Sequence, residues 1–175
     1  MMDADWLKDH IRDIPDFPSP GIVFKDITPL LGHPEGFRST VDTLTARYAG
    51  SRVDKVVGIE ARGFILAAPV AYKLGAGFVP VRKPGKLPFH TEAQEYSLEY
   101  GADRLEMHKD ALDAGDRVLV IDDVLATGGT AAATLRLVEA AGGTVVGLGF
   151  VIELAFLSGR TRLGGFDAFS LLTYD

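Results

Sequence analysis

Short apolar runs alternate with amphipathic stretches from residue 55 to residue 172. Runs of consecutive apolar residues predict strands, and apolar residues three and four positions apart predict helices. The predicted strands cover residues 55–59, 77–81, 117–121, 144–152 and 168–172, and the predicted helices cover residues 63–74 and 130–141. Because strands buried on both faces are apolar throughout, this order predicts an α/β fold with a mainly parallel sheet flanked by helices. Ligands then belong at the carboxyl ends of the strands.

The first 50 residues follow a different pattern. One helical face carries Trp6, Leu7, Ile11 and Ile14. This spacing predicts a helix over residues 3–14. Residues 15–34 are rich in Pro and predict an irregular arm. Helical spacing then returns, with Pro34 near its start, at Phe37, Val41, Leu44 and Tyr48.

The stretch between Val81 and Arg117 has no convincing helical pattern. Residues 96–100 and 104–108 alternate in the manner of the two strands of a hairpin. Stretches of this length without secondary structure are usually lids or disordered in compact domains. A mobile hairpin that acts as a lid would satisfy both interpretations.

Residues 118–130, VLVIDDVLATGGT, carry the strongest chemical signal. The predicted strand ends on Asp122 and Asp123, and a Thr-Gly-Gly-Thr turn then opens a helix. Free backbone N–H groups at such a turn bind phosphate, and Gly128 and Gly129 let the backbone close around it. Carboxylates would repel that phosphate, so we expect Asp122 and Asp123 to face the ribose hydroxyls or a Mg²⁺ ion instead. The pattern predicts a phosphorylated ribose; an ordinary turn with one capping Asp is the alternative.

A second anion-binding segment is predicted at residues 60–63, EARG, directly after a predicted strand. Backbone N–H groups and the helix start at Gly63 could receive the anion, while Arg62 would screen its charge. The alternative is a simple strand-to-helix turn with Arg62 in solvent. Beside a ribose-phosphate turn, we interpret the segment as a pyrophosphate loop.

Composition agrees with a compact enzyme. The 175 residues leave room for one domain with a substantial core. The net charge of −6 argues against nucleic acid as a partner. No apolar stretch reaches transmembrane length and residues 1–13 do not resemble a signal peptide, so we expect no membrane partner. The absence of Cys excludes disulfides and favours a cytoplasmic location.

Three further segments add a family resemblance to residues 118–130. They are FPSPGIVFKD at residues 17–26, EARGF at residues 60–64, and RKPGKLP with SLEYG within residues 82–101. In this order the four segments resemble the adenine phosphoribosyltransferases of the type I phosphoribosyltransferase family, and the likeness spans residues 14–175. It implies a single domain over residues 1–175, with an N-terminal arm and base-binding hood at residues 1–34 and a flexible lid at residues 82–104.

The resemblance also implies an activity. Such an enzyme transfers the 5-phosphoribosyl group from phosphoribosyl pyrophosphate (PRPP) to adenine, giving AMP and pyrophosphate in purine salvage. Mg²⁺ is the expected cofactor, held mainly by PRPP, with Asp122 and Asp123 as candidate protein ligands. A homodimer is expected. The alternatives are transfer to another purine (hypoxanthine, guanine or xanthine) and a non-catalytic PRPP-sensing regulator, which would need a DNA-binding or partner domain.

Residue roles follow from the same resemblance. The catalytic residues would be Glu99, Arg62 and Lys86, with Glu99 managing the purine proton and Tyr100 belonging to the lid. Pyrophosphate would contact Glu60, Ala61, Arg62, Gly63, Arg82, Lys83 and Lys86, and the Glu60–Ala61 peptide would be cis. The ribose and its 5′-phosphate would contact Asp122, Asp123, Ala126, Thr127, Gly128, Gly129 and Thr130.

The hood would bind the base. Its expected adenine-binding residues are Val23, Phe24 and Lys25. Phe24 is the aromatic platform for a flat purine, and main-chain groups near Val23 would read the edge of the base. Lys25 stands where many relatives carry Arg, which keeps the charge but loses the planar fork. For Ile22 we expect core packing.

Overall fold

A five-stranded parallel sheet forms the centre of the protein, whose computed structural model describes residues 4–97 and 102–175. Numbered in chain order, its strands are β3 Lys55–Ile59, β4 Gly77–Val81, β7 Arg117–Leu125, β8 Thr144–Leu154 and β9 Ala168–Tyr174. They lie in the order β4-β3-β7-β8-β9, with every neighbouring pair parallel. The predicted α/β fold is confirmed, although β7, β8 and β9 run past their predicted ends.

Three longer helices flank the sheet. They are α3 Pro34–Tyr48, α4 Arg62–Leu74 and α5 Gly129–Ala140. All three lie close to the predicted positions, and α3 begins with Pro34, whose missing N–H costs nothing in a first turn. Among the described residues, no helix is both long enough and apolar enough to cross a membrane.

The core is divided by the sheet into two buried clusters. In β7, Val118 and Val120 belong to the cluster that includes the apolar face of α5. Leu119 and Ile121 belong to the other cluster, together with apolar residues of α3 and α4. Because successive strand side chains point to opposite faces, a strand buried on both sides must be apolar at every position. This explains the continuous apolar run from which the strand was predicted.

The N-terminal region differs from its prediction. The first helix, α1, covers only Ala4–Lys8, and a second short helix, α2, covers Thr28–Gly32. Between them β1, Arg12–Pro15, pairs antiparallel with β2, Val23–Asp26. The predicted helix over residues 3–14 is therefore wrong beyond Lys8, because pairing with β2 satisfies the backbone there and overrides the helical spacing of the apolar residues. We call the β1–β2 pair the hood hairpin.

A second antiparallel pair, the lid hairpin, consists of β5, Thr91–Ser97, and β6, Ala102–His108. The predicted strand at residues 104–108 is confirmed, and β5 begins five residues before the other predicted strand. Tyr96, Leu105 and Met107 are buried in the cluster that contains the apolar face of α5. One face of the hairpin is therefore part of the core, while the predicted mobility of the lid stays a prediction.

Candidate active site

The carboxyl ends of β3 and β7 open into a cavity of about 500 Å³. The hood hairpin contributes Val23, Phe24 and Lys25 to its wall. The predicted pyrophosphate loop contributes Glu60, Ala61 and Arg62, and the central strand and the following turn contribute Asp122, Asp123, Ala126 and Thr130. One cavity thus brings together members of the three subsites predicted from separate parts of the sequence.

The acidic pair lies inside β7 rather than after it, so the predicted end of this strand is wrong. Pairing with β8 continues as far as Leu125, which carries the strand past both carboxylates. Asp122 and Asp123 are only 9% and 6% exposed. The Asp123 N–H donates to Asp122 Oδ1 at 2.9 Å. Burial, and next the charge of Asp123, raises the pKa of the Asp122 carboxyl well above its ordinary value.

Arg62 compensates part of this buried negative charge. Its Nε donates to Asp123 Oδ2, and its guanidinium lies 5.0 Å from the centre of the Phe24 ring. A guanidinium over an aromatic face is attracted by the ring quadrupole. Arg62 therefore links the predicted ribose-binding carboxylate to the predicted base platform. Its role toward pyrophosphate stays a prediction.

The pyrophosphate loop is organised around Glu60. The Glu60–Ala61 peptide is cis, as the resemblance implies. The Glu60 carboxylate accepts from Arg82 Nε at 3.1 Å and from Lys83 N at 3.0 Å, and it also pairs with Lys86 Nζ. Burial alone would raise the pKa of Glu60, but these hydrogen bonds outweigh it and lower that pKa. Glu60 therefore pairs with the side chains of Arg82 and Lys86 and with the backbone of Lys83, and Lys83 itself lines the cavity.

Gly63 allows the pyrophosphate loop to lie directly against the acidic pair. A Cβ on this residue would be 2.9 Å from Asp122 Oδ1 and 3.0 Å from the carbonyl oxygen of Ile121. Both distances are shorter than an ordinary carbon–oxygen contact. Glycine at this position is thus what lets the first turn of α4 approach the buried carboxylates.

The turn after β7 encloses a smaller cavity of about 70 Å³. The predicted phosphate ligands line it: Ala126, Thr127, Gly128, Gly129 and Thr130. Gly128, the residue before α5, has a φ of +79° and no side-chain cap, and no acidic residue lies in the first turn. Uncapped N–H groups at a helix start bind anions readily. The geometry suits a phosphate group, and the role of these five residues as ligands stays a prediction.

The hood residues differ in their contacts. Phe24 packs edge-on against Phe17, with 5.3 Å between the ring centres, and the Arg62 guanidinium lies over its ring. Val23 and Ile22 are 49% and 47% exposed and line the cavity. The expected core packing of Ile22 is therefore wrong, because the hood hairpin turns this residue toward the cavity.

Lys25 lines the cavity, but its ammonium group is engaged elsewhere. Nζ donates to both oxygens of Asp13 at 2.7 and 2.8 Å and lies 4.2 Å from the centre of the Tyr174 ring. These contacts tie the hood hairpin to β9. The geometry thus favours a contact of the Lys25 ammonium group with Asp13 and Tyr174 over one with a base. The adenine-binding role of this residue stays a prediction.

The structure also places residues at the cavity that sequence reasoning missed. Leu154 ends β8, and Leu157 ends the following 3₁₀ turn; both line the same cavity as Phe24. Asp103 of β6 pairs with Lys83 and accepts a hydrogen bond from the Tyr96 hydroxyl. No local motif marks these residues. Glu99 and Tyr100, expected as proton manager and lid residue, lie outside the described residues.

Comparison with known proteins agrees with this geometry. The family model of the phosphoribosyl transferase domain matches residues 38–160. An adenine phosphoribosyltransferase of Solibacter usitatus is 63% identical over 169 residues, covering 97% of this chain and 98% of the relative. The crystal structure of adenine phosphoribosyltransferase from Rhodothermus marinus has a TM-score of 0.94 at 57% identity over 98% of each chain.

A more distant solved structure shows the same likeness. The adenine phosphoribosyltransferase of Saccharomyces cerevisiae, complexed with adenine and an imino-altritol bisphosphate, has a TM-score of 0.91 at 42% identity over 97% of this chain and 98% of its own. Fold and site thus have the features of an enzyme that handles a phosphorylated ribose and pyrophosphate. The chain belongs to the phosphoribosyltransferase family, in its adenine phosphoribosyltransferase group.

Gly128→Ala tests the phosphate turn. Alanine at a φ of +79° is strained, and its Cβ would lie 2.4 Å from the Gly159 carbonyl oxygen. We expect the turn to rearrange to relieve this contact and a left-handed strain of about 1–2 kcal/mol, so that affinity for AMP and ribose 5-phosphate falls at least about tenfold. Pyrophosphate affinity should be unchanged. Calorimetry checks this, with Gly142→Ala as control because Gly142 has a φ of +82° away from the cavity. Equal AMP affinity in the two variants would contradict the assignment.

Asp122→Asn separates stability from function. The raised pKa of Asp122 means that its carboxyl destabilises the native state relative to the unfolded state once the pH exceeds the ordinary value of 3.8, because the unfolded state then loses this proton more readily. The variant should therefore be more stable than the wild type at pH 7.5, and the difference should shrink as the pH falls through 3.8 and below, where the wild-type carboxyl becomes protonated in both states. PRPP binding should weaken by about ten- to a hundredfold, the loss of a charge-assisted hydrogen bond. Denaturant titrations across pH and PRPP calorimetry measure both; a variant less stable at every pH would disprove the first part.

Proposed function

We infer that this chain transfers the 5-phosphoribosyl group from PRPP to adenine, giving AMP and pyrophosphate. The observation that carries this conclusion is the single cavity of about 500 Å³ shared by the hood, the acidic pair, the pyrophosphate loop and the start of α5. Its relatives carry the name of that activity. A cytoplasmic location, which the sequence predicts, belongs to the same proposal.

The proposed substrate position follows from the chemistry of the cavity wall. The 5′-phosphate lies at the N-terminus of α5, where uncapped N–H groups and the helix dipole stabilise negative charge. The ribose hydroxyls face Asp122 and Asp123. Pyrophosphate lies at the loop of residues 60–63, near the cations held by Glu60, and adenine lies on Phe24 of the hood.

In this arrangement the reaction is a displacement at the anomeric carbon. The bond from that carbon to the pyrophosphate oxygen breaks, and a bond to a purine ring nitrogen forms as the nitrogen loses its proton to Glu99. Positive charges on Arg82, Lys83 and Lys86 stabilise the departing pyrophosphate. A closed lid excludes water, which would otherwise attack the sugar as it gains oxocarbenium character.

Mg²⁺ is proposed to enter with PRPP. Within residues 4–97 and 102–175, no three His, Cys, Asp or Glu side chains are grouped so that they could hold a metal ion. Mg²⁺ commonly binds one or two carboxylates together with substrate phosphates and water, and the adjacent Asp122 and Asp123 fit that partial role. When bound, the ion would offset the negative charge of PRPP beside these carboxylates.

The test is a pyrophosphate-release assay with PRPP, Mg²⁺ and each purine in turn. Adenine should be the base that supports turnover, with AMP as product. Turnover with hypoxanthine, guanine or xanthine instead would overturn the choice of base. PRPP binding without turnover on any base would favour a PRPP-sensing regulator over an enzyme.

The lid is tested by Glu99→Gln, which keeps the size and hydrogen-bonding reach of the side chain but removes its basicity. If Glu99 manages the purine proton, kcat should fall by about 10²–10⁴, while KM for PRPP changes much less. Steady-state AMP formation measures both. Glu95→Gln is the matched control, because Glu95 is an exposed carboxylate on β5 of the same hairpin. Normal AMP formation in Glu99→Gln would leave the residue with a structural role only.

A homodimer is also proposed. Exposed apolar side chains lie on one stripe of α4 and on the neighbouring edge strand β4: Ile65 is 46% exposed, Tyr72 87% and Phe78 38%. Side chains of this size gain free energy when a partner covers them. A second copy of the chain is the partner that the family resemblance implies.

Tyr72→Asp should therefore shift the protein toward monomer in multi-angle light scattering, because it places a charge on the apolar stripe. Tyr72→Phe keeps the apolar ring and should leave the mass unchanged. A wild-type protein that is monomeric and fully active at assay concentration would refute the dimer.

A further inference from the structure

Gly159, which no sequence motif marked, lies in backbone contact with Ala126 and Gly128 of the phosphate turn. Gly159 belongs to residues 155–162, which we call the clamp segment and which form two 3₁₀ turns after β8. A Cβ on Gly159 would be 2.2 Å from the Ala126 carbonyl oxygen, and a Cβ on Gly128 would be 2.4 Å from the Gly159 carbonyl oxygen. With no side chain at either position, the clamp segment lies directly against the backbone of the phosphate turn.

The residue after Gly159 anchors the clamp segment. Arg160 donates from Nε and Nη2 to the two carboxylate oxygens of Glu153, both at 2.6 Å, and from Nη1 to the Ala168 carbonyl oxygen at 2.6 Å. Glu153 is only 7% exposed and also accepts from the Ser170 hydroxyl at 3.0 Å. A two-pronged arginine–carboxylate pair constrains direction as well as distance, which a single ammonium contact cannot do.

Glu153 connects this anchor to the strand that carries the turn. It lies in β8 in register with Leu125 of β7, the residue directly before Ala126. The sheet therefore positions both the start of the phosphate turn and the carboxylate that holds Arg160. Leu157, two residues before Gly159 in the chain, lines the cavity of about 500 Å³ beside Phe24, where the base is proposed to bind. One short segment thus contacts the phosphate turn and a wall of the base subsite.

We propose that Arg160 is a positioning residue, which through its paired bonds to Glu153 holds Gly159 against the phosphate turn and Leu157 at the base cavity. This inference rests on the proposed function, whose subsites it connects. Misplacement of binding groups by about 1 Å is enough to weaken a site strongly. The pyrophosphate loop is carried by β3 and α4 and has no part in this anchor, so its affinity should not depend on Arg160.

Arg160→Lys tests the proposal, since it keeps the charge and removes the fork. Affinities for AMP, ribose 5-phosphate and pyrophosphate are measured by calorimetry below the unfolding transition, together with KM for adenine. We expect AMP and ribose 5-phosphate to bind about tenfold more weakly, a change of about 1.4 kcal/mol, and KM for adenine to rise. Pyrophosphate affinity should stay within about twofold.

Arg47→Lys is the matched control. Arg47 also bonds both oxygens of one carboxylate, that of Asp167 at 2.9 and 2.7 Å, but this pair lies outside β8 and outside the clamp segment. This control should bind all three ligands like the wild type. If Arg160→Lys only lowers the melting temperature and leaves every affinity unchanged, Arg160 is structural and the proposal fails. Equal weakening of all three ligands would also overturn it, because that would indicate a general loss of order.

A milder variant keeps the proposal testable if Arg160→Lys does not fold. Ser170→Ala removes one hydrogen bond to Glu153 and leaves the fork in place, so AMP and ribose 5-phosphate should weaken by a factor of about two to three with pyrophosphate unchanged. Wild-type affinities in this variant would then count against the anchor. A failure of the proposed function would be recognised separately from a failure of this proposal, because the wild type itself would then form no AMP from adenine and PRPP.

Discussion

Two adjacent carboxylates, Asp122 and Asp123, are buried within the carboxyl-terminal half of the central strand, and much of the site is arranged around the cost of burying them. Their mutual repulsion cannot be relieved by solvent, since both are almost fully covered. Arg62 comes from the neighbouring loop to pair with Asp123, and Gly63 removes the Cβ that would prevent that approach. The proposed pyrophosphate loop and the central strand β7 are thus held together by one electrostatic requirement.

The central sheet and its helices could be predicted because each of these elements shows its own pattern of apolar residues in the sequence. A strand such as β3 is apolar at every position because both of its faces are covered, and the amphipathic helices that cover it show their own spacing. The hood hairpin could not be predicted in the same way. Ile11 and Ile14 fit a helical face in sequence, but the partner that makes β1 a strand lies about ten residues further on, across a Pro-rich connection too long to fix the register locally.

The same distinction between local and long-range information applies to the residues of the site. The acidic pair and the glycine turn are contiguous in the chain, so their chemistry can be recognised from the amino-acid sequence alone. Leu157, Gly159 and Arg160 act through contacts with residues far away in the chain, and only the folded arrangement shows them. Lys25 is an intermediate case. Its neighbourhood was expected from the resemblance, whereas its pairing with Asp13 depends on the register of the hood hairpin and its contact with Tyr174 on strand β9 at the opposite end of the chain.

The hood hairpin forms a two-stranded sheet of its own, outside the five-stranded sheet that carries the proposed sugar-phosphate and pyrophosphate sites. It meets the rest of the site through a few contacts, chiefly Lys25 with Tyr174 and Phe24 with Arg62. The share of the proposed base site that the hood contributes is therefore built on a piece of backbone separate from that sheet. Mutation or laboratory selection could alter which heterocycle is accepted by remodelling residues 12–26, without changing the strands and the turn that are proposed to bind the sugar phosphate.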